Sequence, residues 1–294
     1  MKPPRFDYAA PRSVAEALTL LHERGADAKV LAGGQSLVPL LNFRLARPAL
    51  VIDLNAIAGL DRIALDPATG ELVFGALVRL GDAERSPLVT GRAPLLAAAL
   101  GQIGHRTIRN RGTVGGSLAH ADPAAELPLV LLTLGGRLCG RRVSGERWMP
   151  ADTFFTSYLT TLLEADELLV EARFSLAGIS GPGAGWGFEE FSRRAGDFAL
   201  AASCVTLRIT GGAVTECAIA VAAGGPVPER ATAAEAALTG RAPDTSAFAE
   251  AASLAAAGCL ADGDIHASAE YRRGLVATLV ARTLAAAAAR ASGA

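Results

Sequence analysis

Charge and cysteine are both scarce in this chain of 294 residues. Only 19% of them are charged and the formal net charge is −1, so no basic field is available to neutralise a polynucleotide, which argues against nucleic acid as a partner. The positive residues are scattered, apart from Arg106, Arg109 and Arg111 and the pairs Arg141-Arg142 and Arg193-Arg194. The four cysteines, Cys139, Cys204, Cys217 and Cys259, stand far apart, with no C-x-x-C and no grouping with His22, His105, His120 or His266. That excludes an iron-sulfur cluster or zinc held by this chain alone, and no disulfide framework is implied. Each cysteine reads as a small buried residue in a reducing compartment. No apolar run approaches the roughly eighteen residues of a membrane span. Residues 1–8 contain Lys2, Arg5, Asp7 and two prolines in place of a secretory signal's apolar core, so a cytoplasmic location is expected. The fingerprint G-x-G-x-x-G is missing too, which disfavours a nicotinamide-type Rossmann site.

What is present is apolar and well punctuated. With 51% of residues in the hydrophobic class, the chain is expected to form two or three packed domains, each with its own core. Ser13 and Glu16 form a capping box ahead of Val14, Ala17, Leu18 and Leu21, and Gly25 supplies a left-handed stop, which predicts a helix over 14–24. A strand passes through Val30, residues 37–44 form a short helix or an irregular turn around Pro39, and residues 49–54 form another strand. Residues 62–65 and 72–77 flank the turn residues Asp66, Pro67 and Gly70, a hairpin signal that opens a new substructure near residue 58. Pro94 opens a helix carrying Leu95, Leu96 and Leu100, and Asp122 and Pro123 start another that runs through 127–134.

Residues 168–174 read as a strand, and the glycine-rich run 178–185 as a linker into a third domain. There, strands over 201–209 and 214–221 flank the hairpin glycines Gly211 and Gly212, and alanine-rich helices follow. The stretch 284–289 reads as a helix packed on a core or a partner.

Two glycine pairs carry the chemistry. The apolar run Val30, Leu31 and Ala32 stops at Gly33 and Gly34 and resumes through Gln35 and Ser36 into Leu37, the pattern of a strand feeding a tight turn. Paired glycines free the backbone conformation and leave no side chain between the peptide N–H groups and an approaching anion. An ordinary turn has the same pattern. A second element of the same kind, Gly112, Thr113, Val114, Gly115, Gly116 and Ser117, follows about eighty residues later, and His120, Asp122, Pro123 and Glu126 come after it. Two such elements converging on one diphosphate is the specific reading.

The segments Ala32-Gly-Gly-Gln-Ser36, Arg109-Asn-Arg-Gly-Thr-Val-Gly-Gly-Ser117, His120-Ala-Asp-Pro123, Arg193-Arg-Ala-Gly-Asp197 and Ser268-Ala-Glu-Tyr-Arg272 give the chain a family likeness that extends over nearly its whole length. It resembles the FAD-binding medium subunit of molybdenum hydroxylases of the carbon monoxide dehydrogenase and xanthine dehydrogenase type. The resemblance implies an α+β fold: a two-lobed FAD-binding domain of the PCMH type, lobes 1–57 and 58–177, then a small α+β domain with an antiparallel sheet over 178–294. It also implies that residues 30–37 line the diphosphate and flavin from the first lobe and residues 113–117 from the second. Glu126 would meet the ribose hydroxyls, Leu169 would lie near the cofactor and Ile103 close to the ring.

As a medium subunit, the chain would pass electrons through FAD from iron-sulfur clusters on a small partner, fed by a molybdenum centre on a large one, in a dimer of such trimers. Its final acceptor and substrate are not encoded in these motifs. Neither His105 nor His120 is assigned an acid/base role, because the cofactor carries the chemistry. Three departures stand out: Phe198 replaces a tyrosine that packs near the isoalloxazine in many relatives, Glu190 replaces a frequent lysine, and His105 replaces an aspartate found in some. Two other readings of the residues stay open, a self-contained flavin oxidase and a non-redox nucleotide-binding scaffold.

Overall fold

The structure, a computed structural model, describes residues 1–293. The first lobe runs β1 (Asp7–Ala9), α1 (Val14–Arg24), β2 (Ala28–Leu31), α2 (Leu37–Asn42) and β3 (Leu50–Asp53). Its three strands form a parallel sheet in the order β1-β3-β2. Ser13 Oγ accepts the Glu16 N–H at 3.2 Å, while the Glu16 carboxylate takes the Arg12 N–H at 2.8 Å, one residue before the cap. Ala17, Leu18 and Leu21 face the core, and Gly25 ends the helix at φ +51°.

The second lobe is larger. It contains β4 (Ile63–Leu65), β5 (Leu72–Gly75), α3 (Leu80–Arg85), α4 (Pro87–Arg92), α5 (Pro94–Gln102), α6 (Arg106–Arg109), α7 (Val114–His120) and α8 (Glu126–Thr133). There follow β6 (Arg137–Arg142), β7 (Gly145–Pro150), α9 (Ala151–Phe154), the short pair β8 (Phe155–Ser157) and β9 (Thr160–Thr161), and β10 (Leu168–Phe174). Five of these strands form an antiparallel sheet in the order β4-β5-β10-β6-β7. Two expectations are corrected here. The second glycine pair lies inside α7 and is not a turn: at Gly115 a β-carbon would stand 2.6 to 2.7 Å from Ala76, so the missing side chain lets this helix lie directly on the backbone after β5. And α8 begins at Glu126, because the Asp122 carboxylate takes the Ala124 N–H at 2.9 Å and folds the preceding residues into a turn.

The carboxyl-terminal part has β11 (Ala184–Phe191), β12 (Ala201–Thr210), β13 (Ala213–Ala222) and β14 (Glu229–Arg230) in an antiparallel sheet of that order, then α10 (Thr232–Leu238), α11 (Thr245–Gly258) and α12 (Ala269–Ala291). The glycine-rich stretch read as a linker is packed. Gly183 abuts the Ile209 carbonyl and Gly185 the Ala287 carbonyl, leaving no room for a side chain at either. By length and composition α12 could cross a membrane. Here its buried residues Val276, Val280, Leu284 and Ala287 share a core with β12, β13 and α11.

The lobes do not keep separate cores. The first lobe's cluster takes in Leu77, Cys139, Leu168 and Val170 from the second, and the second lobe's cluster includes Ala202, Cys204, Ala220 and Ala222 from the carboxyl-terminal sheet. A unit as small as the first lobe buries too little apolar surface by itself, so it completes its core on its neighbour.

Candidate functional site

The first glycine motif lies at the carboxyl end of β2, facing a cleft of about 260 Å³ lined by Ala32, Gly33, Gly34, Asp53, Asn55 and Arg111 among others. Parallel α/β units place ligand sites at the carboxyl ends of their strands. Gly34 has φ +75°, the left-handed turn the paired glycines predict. The N–H groups of Gly33, Gly34, Gln35 and Ser36 donate to no acceptor among the described residues. Four consecutive free donors in a loop form an anion-binding concavity.

The walls of the cleft are tied together by polar residues that sequence reasoning did not single out. Asn55 donates to the Ala32 carbonyl at 2.9 Å, and Arg79 donates to the Arg111 carbonyl at 2.6 Å and to Asn55 Oδ1 at 2.5 Å. Asp53 accepts from the Tyr8 hydroxyl at 2.7 Å and from the Asn55 N–H at 2.9 Å. Burial pushes the Asp53 carboxyl up, but the bonds from Asn55 and Tyr8 outweigh it and hold it below the usual carboxylate range. Arg79 is shifted down, by burial first and by the charge of Arg111 second. Two cations therefore stand beside the loop of free donors. Arg111 was visible in the sequence as the residue before Gly112-Thr113, whereas Asn55 and Arg79 carry no local signal.

Gly33 plays a different part from Gly34. An added β-carbon would stand 2.3 Å from the Arg111 carbonyl oxygen and 2.8 Å from the Gly112 Cα, so at this point the backbones of the two lobes touch. The second motif supplies this contact through Gly112 and has few free donors. Val114, Gly115 and Ser117 give their N–H groups to Val78, Ala76 and Thr113 carbonyls at 2.9 to 3.0 Å. Thr113, only 2% exposed, caps α7 by accepting the Gly116 N–H at 3.0 Å. Val30 and Ala32 pack against the first lobe's core, and Leu37 opens α2.

The remaining predicted residues lie in three places. Ile103 ends α5, and its carbonyl, with that of Gly104, accepts from Arg109, which is itself paired with Glu84 at 2.8 Å. The next residue, His105, touches Gly196 of the loop between β11 and β12, the loop that carries Phe198. Ile103, His105 and Phe198 thus belong to one corner, between the second lobe and the carboxyl-terminal sheet. Leu169 lies apart, buried in β10 opposite Gly140.

Glu126, at the first turn of α8, is 7% exposed. Burial, the charge of Glu190 and that of Asp122 push its carboxyl up to about 8. Glu190 faces it because β11 alternates: Trp186 and Phe188 pack on the second lobe, whereas Gly185 and Gly187 lie against α12. Burial pushes Glu190 up to about 7, and its Oε2 is buried without a partner. Burial thus biases both carboxyls toward the protonated form. His120 is shifted down by its burial, with Asp122 opposing.

A cleft with four free backbone donors, a left-handed glycine and a flanking arginine has the chemistry for a diphosphate, so the residues fit FAD. The comparisons with known proteins agree. Residues 4–174 match the family described as the FAD binding domain in molybdopterin dehydrogenase, and residues 186–287 match the CO dehydrogenase flavoprotein C-terminal domain. The chain is 43% identical over 287 residues to the 6-hydroxypseudooxynicotine dehydrogenase complex subunit alpha of Paenarthrobacter nicotinovorans, covering 97% of this chain and 95% of that one. It is 38% identical over 290 residues to the carbon monoxide dehydrogenase medium chain of Hydrogenophaga pseudoflava, covering 99% of each. A solved structure of carbon monoxide dehydrogenase from that organism superposes with a TM-score of 0.94 at 41% identity, covering 99% of both chains.

Proposed function

This chain belongs to the FAD-binding medium subunits of the molybdenum hydroxylase family, and from that premise we propose how its residues hold the cofactor and whom it serves. The chain relays electrons by way of its FAD from iron-sulfur clusters on a small partner subunit, themselves fed by a molybdenum centre on a large one, to an external acceptor. When bound, FAD supplies the redox chemistry. The observation that carries the reading is the run of free N–H groups at Gly33, Gly34, Gln35 and Ser36 facing the cleft beside Arg111.

These four N–H groups donate to the diphosphate, with Arg111 balancing its charge by a charge-assisted bond. Asp53, Asn55 and Arg79 hold the loop and the Arg111 peptide in register. Thr113, Val114, Gly115, Gly116 and Ser117 form the opposite wall, with the Ser117 hydroxyl as a further donor. Glu126, whose carboxyl burial pushes up to about 8, offers an acceptor to the ribose hydroxyls and, when protonated, a donor as well. Ile103 and Phe198 stand beside the ring, and Leu169 lies near the cofactor from its own place in β10.

The domain limits 1–57, 58–177 and 178–294 are part of this reading, supported by the three sheets within 7–53, 63–174 and 184–230. So is a cytoplasmic dimer of trimers, in keeping with four free cysteines and with relatives named as a complex subunit and a medium chain.

The test is to prepare the chain with and without the two partner subunits and to follow flavin absorbance anaerobically on adding carbon monoxide, aldehydes or aromatic heterocycles. Substrate-dependent bleaching is expected only in the complex. Rapid bleaching in the isolated chain would overturn the relay and make it a self-contained oxidase.

A further inference from the structure

The loop 192–200 between β11 and β12 carries Phe198, which is 67% exposed. Few contacts of its own fix that ring, so its orientation depends on how the loop is anchored. Leu200 donates its N–H to the Phe191 carbonyl at 2.7 Å and closes the hairpin. On one flank Gly196, at φ +84°, presses on the His105 ring where a β-carbon would come within 2.5 Å. On the other flank the anchor is Arg272.

Arg272 sits in the first turn of α12 and is only 4% exposed. Its Nη1 donates to the Leu200 carbonyl at 2.6 Å and its Nη2 to Asp264 Oδ2 at 2.8 Å. The guanidinium also packs on Gly224, at φ +76°, where a β-carbon would stand 2.9 Å from Cζ. The Tyr158 hydroxyl, 3.1 Å from the Gly224 carbonyl, shares its one proton between that carbonyl and the Asp262 carboxylate. Tyr158 belongs to the β8–β9 turn, so the second lobe is tied through Gly224 to the base of the Phe198 loop.

This arrangement carries a cost, because Arg272 Nε is buried and finds no acceptor among the described residues. What the guanidinium adds is a rigid fork that reaches a carbonyl and a carboxylate together, which a single ammonium does less well.

We propose that Arg272 is a positioning residue for the flavin: by pinning Leu200 it fixes the loop that presents Phe198 to the cofactor. This rests on the reading that Phe198 stands beside the ring. Arg272 itself touches no reacting atom.

The experiment uses the full chain reconstituted with FAD, in four forms: unaltered, Phe198→Ala, Arg272→Lys and the double variant. Flavin stoichiometry, visible circular dichroism of the flavin and its midpoint potential are measured for each. Arg272→Lys should bind FAD to the same stoichiometry as the unaltered chain, since the diphosphate loop is untouched, and the two Phe198→Ala forms are compared at saturating FAD. Arg272→Lys should alter the dichroism and the potential in the same sense as Phe198→Ala, and the double variant should go no further than Phe198→Ala alone. Unchanged flavin signals in Arg272→Lys, or additive changes in the double variant, would overturn the proposal. Unchanged signals in Phe198→Ala at full occupancy would remove Phe198 from the ring and overturn the proposal with it, while leaving FAD binding by the chain intact. Should Arg272→Lys not fold, Asp264→Asn loosens the same fork and is judged by the same signals.

Discussion

Gly33 and Arg111, far apart in the chain, meet backbone to backbone: a β-carbon on Gly33 would lie 2.3 Å from the Arg111 carbonyl oxygen. This contact places the free donors of the first loop beside the Arg111 side chain, and so makes one site from two lobes. It also separates the roles of two adjacent glycines.

Gly33→Ala is expected to push the lobes apart and to cost about 1–3 kcal/mol as overpacking. Gly34→Ala meets only Leu31 and Val38 side chains at 3.3 Å, and its cost is the left-handed backbone, about 1–2 kcal/mol. Urea unfolding of the apoprotein, followed by FAD titration, checks this. Both variants should lose FAD affinity, and Gly33→Ala should also impair the docking of the first lobe, seen as faster proteolysis.

Arg111→Ala removes a cation from the cleft while leaving the backbone contact intact, because Arg79 bonds the residue's carbonyl. A charge-assisted bond of about 1.5–3 kcal/mol corresponds to roughly a ten- to hundredfold weaker FAD dissociation constant. Isothermal titration at low and high salt should show the unaltered protein losing affinity with salt more steeply than the variant.

Thr113→Val keeps the shape of a buried side chain but removes the cap of α7. A loss of about 1 kcal/mol is expected, the usual worth of such a cap. Thr113→Ser should retain most of it. The thermal midpoints of the three apoproteins make the comparison.

The carboxyls of Glu126 and Glu190 are pushed up to about 8 and about 7 by burial, with mutual repulsion adding to the first. Their folded values exceed the unfolded one, so the folded state binds more protons. Their contribution to stability is full below about pH 4.5 and is lost as pH rises through about 7 to 8. The urea midpoint of the apoprotein should therefore fall over that window. Glu190→Gln should flatten the fall and raise the midpoint at the alkaline end; an equally steep fall in the variant would show that other groups set it.

Local features were legible in the sequence wherever a single residue type dictates a backbone state. Ser13, Glu16 and Gly25 bounded α1, Gly211 and Gly212 marked the β12–β13 turn, and Pro94 opened α5. The ordered motifs also led to the family and its cofactor. The short reach of such signals explains the misreadings. The pair Gly115-Gly116 looks like a turn until Ala76 is seen beneath it, and Gly183 and Gly185 look like linker residues until Ile209 and Ala287 are seen against them.

The sequence alone therefore determined the bounds of α1, the start of α5, the β12–β13 turn and the family, because these depend on neighbours a few residues away. Only the tertiary structure decided which donors are free. The N–H groups of the first motif are left open and most of those of the second are spent on Ala76, Val78 and Thr113. The cleft's charges, the buried acids Glu126 and Glu190 and the Arg272 fork were likewise settled by contacts between distant segments. Backbone satisfaction and desolvation depend on what packs nearby in space, and sequence spacing does not record that.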